Sequence, residues 1–321
     1  MSQSNIYEII PLDTLFFRGS TPMEAGQYNA VSVFPPPVSV IKGAFWSAHC
    51  LHENKPFDEG LKEGGIIPFD VTGIFIKKSF AEKDYKIYIP APATWYYDSE
   101  KKAERGTDLK DKTLCIAEEE PLLKNFSACS SAGKVVFVEP KKDAKPLAGA
   151  WVSSDFIKEP KSCFGDRDVL LSNDIYCLEN RTGVALTTDK KALDGQLYTS
   201  SHLRFRDGIS IFVKFDDAPD FNFDKLFLGG ERRVALCKKF YRDIKFPKND
   251  AENWLSLVPV EATEENLNHL KASAKIFVTA GWDMKKQFHK PSVSWIPAGA
   301  VFDKEINENT KKVCIPLIDK N

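Results

Sequence analysis

A chain of 321 residues is long enough for two ordinary domains, and its 43% apolar and 28% charged residues lie in the range of folded globular proteins, which excludes wholesale disorder. Lys plus Arg number 44 against 45 Asp plus Glu, a net charge of -1, so there is no global basic field and a nucleic-acid site has to be a local patch. The longest charge-free stretch, Ala25 to Ile41, carries three consecutive prolines with Gln27 and Asn29 and is no bilayer span; with no apolar leader either, a cytoplasmic location is expected.

Ile6 to Phe17 is rich in β-branched and aromatic residues and predicts a first strand, interrupted by Pro11 and ending at Arg18-Gly19. A turn-rich segment, Gly19 to Asn29, leads to Phe34-Pro35-Pro36-Pro37, where proline suits the first turn of a helix. From Val38 to His52 the apolar positions Val38, Ile41, Phe45, Ala48 and Cys50 or Leu51 recur at helical spacing, predicting an amphipathic helix over a sheet. Gly43 inside it costs about 1 kcal/mol relative to Ala, so something is expected to pack close there. Val71 to Ser79 and Lys86 to Tyr97 predict strands, and the charge-rich Asp98 to Lys112 a mobile projection. Short apolar runs from there to Glu179 read as an insertion and not a separate core. Thr182 to Thr188 and Gln196 onward predict a hairpin about Asp189 to Gly195. Leu203 to Arg206 and Ile209 to Phe215 flank Asp207-Gly208, whose preference for positive φ predicts a second, tight hairpin.

Phe221 to Leu228 reads as a short helix before a strand from Val234 to Tyr241. The remainder predicts strands at Trp254 to Val260, Lys275 to Trp282, Ser292 to Phe302 and Val313 to Leu317, with a helix at Glu264 to Lys271. This order indicates an α+β sheet protein. Two tandem ferredoxin-like (RRM-like) βαββαβ domains account for it, the first over 1–242 with a long insertion at about 98–180, the second over 243–321.

No phosphate-binding loop, dinucleotide fingerprint, zinc-protease helix, nucleophile elbow or kinase set occurs, and no cofactor is expected. The seven cysteines are scattered without a CxxC pair, as reduced thiols would be. His49 and His52 lie at helical spacing around Cys50, and Asp166 and Asp168 alternate around Arg167, but an ordinary helix face and a solvated loop explain them better than metal sites. His202 precedes Arg204 and Arg206, where a general base for RNA cleavage would sit beside phosphate-binding arginines. Gly229-Gly230 followed by Arg232 and Arg233 offers close backbone approach, free amides and two guanidiniums to a phosphate; a tight turn with a solvated charged edge is the plainer alternative. Arg204 and Arg206 alternate opposite Leu203 and Phe205 and line one sheet surface, either tracking a phosphate backbone or pairing with acidic neighbours. Trp282, after Gly281, is a candidate for stacking on a base.

Taken in order, PLDTLFFRGSTPM, FPPPVSVIKGAFWSA, NRTGVAL, DGQLYTSSHLRF, LGGERRVA, GWD and WIPAGAVF resemble the third-named RAMP subunit family of the type III-B (Cmr) CRISPR effector complex. The resemblance spans nearly the whole chain. It implies two ferredoxin-like folds, no catalytic activity, capture of the repeat-derived 5′ handle of the crRNA, and docking against the large polymerase-like subunit and a backbone RAMP subunit. It also implies RNA contacts at Arg18, at Lys42 and Gly43 in the first helix, and at the glycine-rich loop Gly229-Gly230 with Arg232 and Arg233. In the family the arginine at Arg18 is usually followed by an acidic residue; here Gly19 follows it. Two other functions compete: a RAMP endoribonuclease using His202 as base, and a structural adaptor with protein contacts alone.

Overall fold

The computed structural model describes residues 5–19, 30–98, 109–121, 135–138, 143–246, 251–279, 282–283, 288–289, 291–308 and 311–317. Two compact units organise the chain. One gathers Met1–Ile74, Asn173–Asp243 and Val278–Val293; the other gathers Phe75–Ser172, Ile244–Phe277 and Ser294–Asn321.

The first unit is built from β1 (Ile6–Pro11), β2 (Ala30–Val31), α1 (Val38–His52), β3 (Asp70–Ser79), β4 (Tyr176–Leu186), β5 (Ala192–Phe205), β6 (Ile209–Asp216), β7 (Lys225–Phe227) and β8 (Val234–Phe240), and the chain leaves it within β3, after Ile74. Its main sheet runs β3, β6, β1, β8, β7. β1 is antiparallel to both neighbours, with Ile9 opposite Ile211 and Cys237. The predicted first strand stops at Pro11, a residue with no N–H to give to the ladder. α1 keeps its predicted bounds and buries Ile41, Ala44, Phe45, Trp46 and Cys50 against the sheet, while Leu51 is 75% exposed.

An aromatic cluster forms the core beneath α1. Phe45 meets Phe215 at 4.6 Å and Tyr7 at 5.7 Å between ring centroids, and Phe69 meets Phe221 at 5.3 Å. Such pairs add about 0.5–1.5 kcal/mol each beyond burial. The Tyr7 hydroxyl donates to Asp220 and accepts from the Phe221 amide, at 3.1 and 2.9 Å. Burial raises the pKa of this phenol well above its ordinary value.

Two predictions fail in this unit. Phe221 to Leu228 is not helical: β7 pairs with β8, with Leu226 opposite Ala235. Leu226 and Leu228 are buried while Phe227 is 54% exposed, the two-residue period of a strand. Asp207-Gly208 does make a tight turn, with the Ile209 amide 3.2 Å from the Arg206 carbonyl and Gly208 at φ +73°, yet no hairpin follows. β6 pairs with β1, whereas β5 pairs with β4 from Phe205–Tyr176 to Ala192–Leu186 and also with β2. The Arg206 amide is already held by the Ile175 carbonyl at 2.8 Å, so the strand before the turn is committed to the other sheet. The β4–β5 hairpin turns at Thr187–Lys191, earlier than expected.

In the second unit the expected strand Lys86 to Tyr97 divides into Tyr85–Pro90 and Trp95–Asp98 around Pro90 and Pro92. Tyr85–Pro90 pairs with the end of β3 on one side and with Trp151–Ser153 on the other, and Trp151–Ser153 pairs with Val169–Leu170. Trp151, Val152, Phe156, Ile157, Phe164 and Leu170 are buried, so this part of the expected insertion is core. Residues 99–108 of the expected charged projection lie outside the described residues, as do 20–29 of the turn-rich segment. Further along, β9 (Asn253–Ser256), β10 (Leu270–Ala272), β11 (Val301–Phe302) and β12 (Cys314–Leu317) form a sheet in the order β10, β11, β9, β12. The predicted helix here is shorter, Glu264–Asn268, with the Thr263 hydroxyl accepting from the Asn266 amide. Gly299 of the Pro-Ala-Gly motif sits at φ +91°, where a Cβ would lie 2.5 Å from the Ala91 carbonyl oxygen.

The six described cysteines are free, and burial pushes the Cys237 and Cys314 thiols up to about 12. Among the described residues no helix is long and apolar enough to cross a membrane.

Candidate nucleic-acid interface

After β1 the chain runs beside β5, where Leu15 and Leu203 exchange backbone hydrogen bonds of 2.9 and 2.8 Å. The loop between β7 and β8 closes onto this segment. The Leu228 amide reaches the Arg233 carbonyl, and the Gly230 amide reaches the Phe16 carbonyl, both at 2.8 Å. Gly229 has φ +77°, and a Cβ there would stand 2.5 Å from the Phe16 carbonyl oxygen and 3.1 Å from the Phe17 ring. A side chain is therefore excluded by close approach as well as by backbone angle. The expectation of free amides at both glycines needs correction: Gly230 spends its N–H inside the chain. Glu231 and Arg232 follow at φ +59° and +50°, so the backbone stays tightly turned through both.

Half of the nominated positive charge is not free. Arg233 donates to Asp13 at 2.7 Å and to Glu231, and its Nε is buried without a partner. Arg204 donates to Glu179 and, at 3.5 Å, to Asp13. Arg181, which sequence inspection did not nominate, donates to Glu179 and to the Thr14 hydroxyl at 2.9 Å each and lies 3.8 Å from Glu231. Three guanidiniums and three carboxylates thus neutralise one another across β4, β5, the Asp13 segment and the glycine loop. Hydrogen bonds from Arg204 and then Arg181 bring the Glu179 carboxyl down to about 2. The Thr14 amide, followed by the three arginines, lowers Asp13. The pairing of Arg204 with acidic neighbours is the alternative that the geometry selects. The available signal was Glu179-x-Arg181 alternating opposite His202 and Ser200, which emerges once β4 and β5 are put in register.

The other nominated residues divide by what holds them. Lys42 pairs with Asp70 at 2.8 Å. The exposed Arg206 donates through Nε to the Asn173 carbonyl at 3.2 Å and meets no carboxylate among the described residues. Arg18 and Arg232 are exposed and have no side-chain hydrogen bond or ion pair among the described residues. Trp282 lies on the strand Trp282–Asp283, paired with Phe288–His289; its side chain is outside the described residues.

His202 is fully buried, stacked on Phe16 with 4.9 Å between centroids, with Nε2 3.0 Å from the Ser200 hydroxyl and Nδ1 unpartnered. Burial lowers its pKa, favouring the neutral ring, and no face of it is open to an RNA. Asp166 pairs with Lys110, and Asp168 with Lys86 and the Gly165 amide. Among the described residues no three metal-ligating side chains converge.

The sequence matches the family Cas_Cmr3, CRISPR-associated protein, over residues 7–263. No curated protein matches it. The fold is similar to a chain of the type III-B Cmr-beta complex bound to cognate target RNA and AMPPnP, with TM-score 0.56 and 16% identity, covering 92% of this chain and 85% of that one. The Cmr-beta complex bound to cognate target RNA gives the same score and identity, covering 93% and 86%. With four-fifths of its length inside the family match, and with the motif order noted in the sequence, the chain belongs to the Cas_Cmr3 family of CRISPR-associated proteins, the third-named RAMP-type Cmr subunits.

Proposed function

We propose that the chain is a non-catalytic subunit of a type III-B RNA-guided effector, working in the cytoplasm. It binds the repeat-derived 5′ handle of the crRNA and docks against the large polymerase-like subunit and a backbone RAMP subunit. The observation that carries this is the family match over residues 7–263. Strand order supports the tandem ferredoxin-like arrangement. Counting the main strands along the chain, β3, β6, β1, β8 and β10, β11, β9, β12 both read second, third, first, fourth, one set inside 1–242 and the other inside 243–321.

Arg18, Arg206 and Arg232 supply phosphate contacts in this proposal. Arg204 and Arg233 hold the surface in shape, Gly229 and Gly230 set the loop, and Lys42 and Trp282 are further RNA contacts in the same proposal. The burial of His202 favours a binding role over cleavage. The test is ultraviolet crosslinking of the reconstituted complex loaded with crRNA. Crosslinks from this chain to the 5′ handle nucleotides are expected; their absence, with crosslinks to other subunits intact, overturns the proposal in favour of a protein-contact adaptor. Metal-free incubation with repeat RNA separates the nuclease alternative, which requires product that His202→Ala abolishes.

A further inference from the structure

Beside the glycine loop, α1 and Phe227 border a cleft of about 450 Å³ lined by Val40, Gly43, Ser47, Phe227, Gly229 and Arg232. Its size lies within the roughly 300–1,000 Å³ of small-molecule sites. Val40, Gly43 and Ser47 fall at i, i+3 and i+7 and share one face of α1. A Cβ on Gly43 would meet nothing within 4 Å, so no packing partner in the described chain accounts for a helix-weakening glycine at that position. The opposite wall is rigid, since Gly229 is fixed against Phe16 and Phe17. Phe227 offers an exposed ring, and Arg232 an exposed guanidinium with no carboxylate partner among the described residues, unlike Arg181, Arg204 and Arg233.

An aromatic face, a free cation and a gap bounded by bare helix backbone suit a planar base attached to a phosphate. We propose that this cleft holds one unstacked nucleotide of a single-stranded RNA, its base between Phe227 and the backbone at Gly43 and its phosphate on Arg232. The inference rests on the RNA-binding function proposed above and names the subsite within it.

Binding of the full chain to single-stranded RNA carrying the repeat-derived 5′ end tests it, with a set of RNAs made abasic at each position in turn. Gly43→Leu and Phe227→Ala are each expected to weaken binding about tenfold without changing its salt dependence, because a base contact releases no counterion. Arg232→Ala is expected to weaken binding and flatten the salt dependence. One abasic position is expected to weaken the wild-type complex and leave the Gly43→Leu complex unchanged. Gly43→Ala, which favours the helix, guards against misfolding and is expected to lose affinity while melting higher. Wild-type affinity in Gly43→Leu and Phe227→Ala overturns the subsite and leaves RNA binding standing; so does loss of a partner subunit with RNA affinity intact, which marks the cleft as a protein contact. No RNA binding by the wild-type chain at any salt concentration overturns both.

Discussion

Gly229 and the charges around it define the surface one residue at a time. Replacing Gly229 by Ala forces a Cβ against the Phe16 carbonyl oxygen at 2.5 Å and holds a non-glycine residue at φ +77°. Strain of this kind costs about 1–3 kcal/mol, so urea unfolding of Gly229→Ala should move to lower denaturant and report a loss of stability of that size. Gly230→Ala should shift less, because its nearest neighbour is the Phe16 ring at 3.2 Å, a contact relieved by a shift of a few tenths of an ångström, and Gly230 has no positive φ. Acid stability tests the network. Glu179 has a folded pKa of about 2, below its unfolded value, so the unfolded state binds more protons and stability falls as pH drops from about 4.3 toward 2. His202 is also depressed, by burial, so a separate loss begins as pH falls below about 6.5. Stability measured against pH should show both steps; Glu179→Gln should shrink the lower one, to which the lowered Asp13 and Asp220 also contribute, and His202→Gln the upper one, which His202 shares with the half-buried His49. Wild-type pH dependence in both variants would show that neither carboxylate pairing nor a buried neutral imidazole shapes acid unfolding.

At the scale of elements, α1 shows what local pattern can reveal. Its bounds follow from the proline run and the 3.6-residue period, and its internal glycine is a defect of about 1 kcal/mol that Gly43→Ala should recover as added stability on thermal unfolding. Gly208→Ala should lose a similar amount, about 1 kcal/mol, because the turn needs φ +73°. That turn was legible from Asp-Gly, but the partners of its strands were not. A dipeptide fixes local backbone angles, while pairing is decided by which edges other strands have already taken, here by Leu15 and Ile175. β7 was misread because a phenylalanine-rich run looks apolar in either period. The site was half legible for a related reason. Gly229-Gly230 and Arg232 are contiguous, whereas Arg233 and Asp13 lie 220 residues apart, and no window along the chain can show that one neutralises the other.

For the whole molecule, a net charge of -1 limits how strongly an RNA can be held by charge alone. The ion network tightens that limit, since Arg181, Arg204 and Arg233 are already balanced by Asp13, Glu179 and Glu231. In the RNA-binding role proposed above, counterion release then comes chiefly from Arg18, Arg206 and Arg232. Each phosphate neutralised on a single strand contributes about 0.7 to the slope of log affinity against log salt. Replacing these three by Ala should reduce the slope for handle RNA by about 2 while leaving the melting temperature near that of the wild type. Replacing Arg204 and Arg233 should do the reverse, lowering the melting temperature with little change in slope, because those guanidiniums bridge chain segments. A large fall in slope on losing Arg204 and Arg233 would mean that RNA displaces Asp13, Glu179 and Glu231 from the arginines, and that the network is a closed form of the binding surface, opened by its ligand.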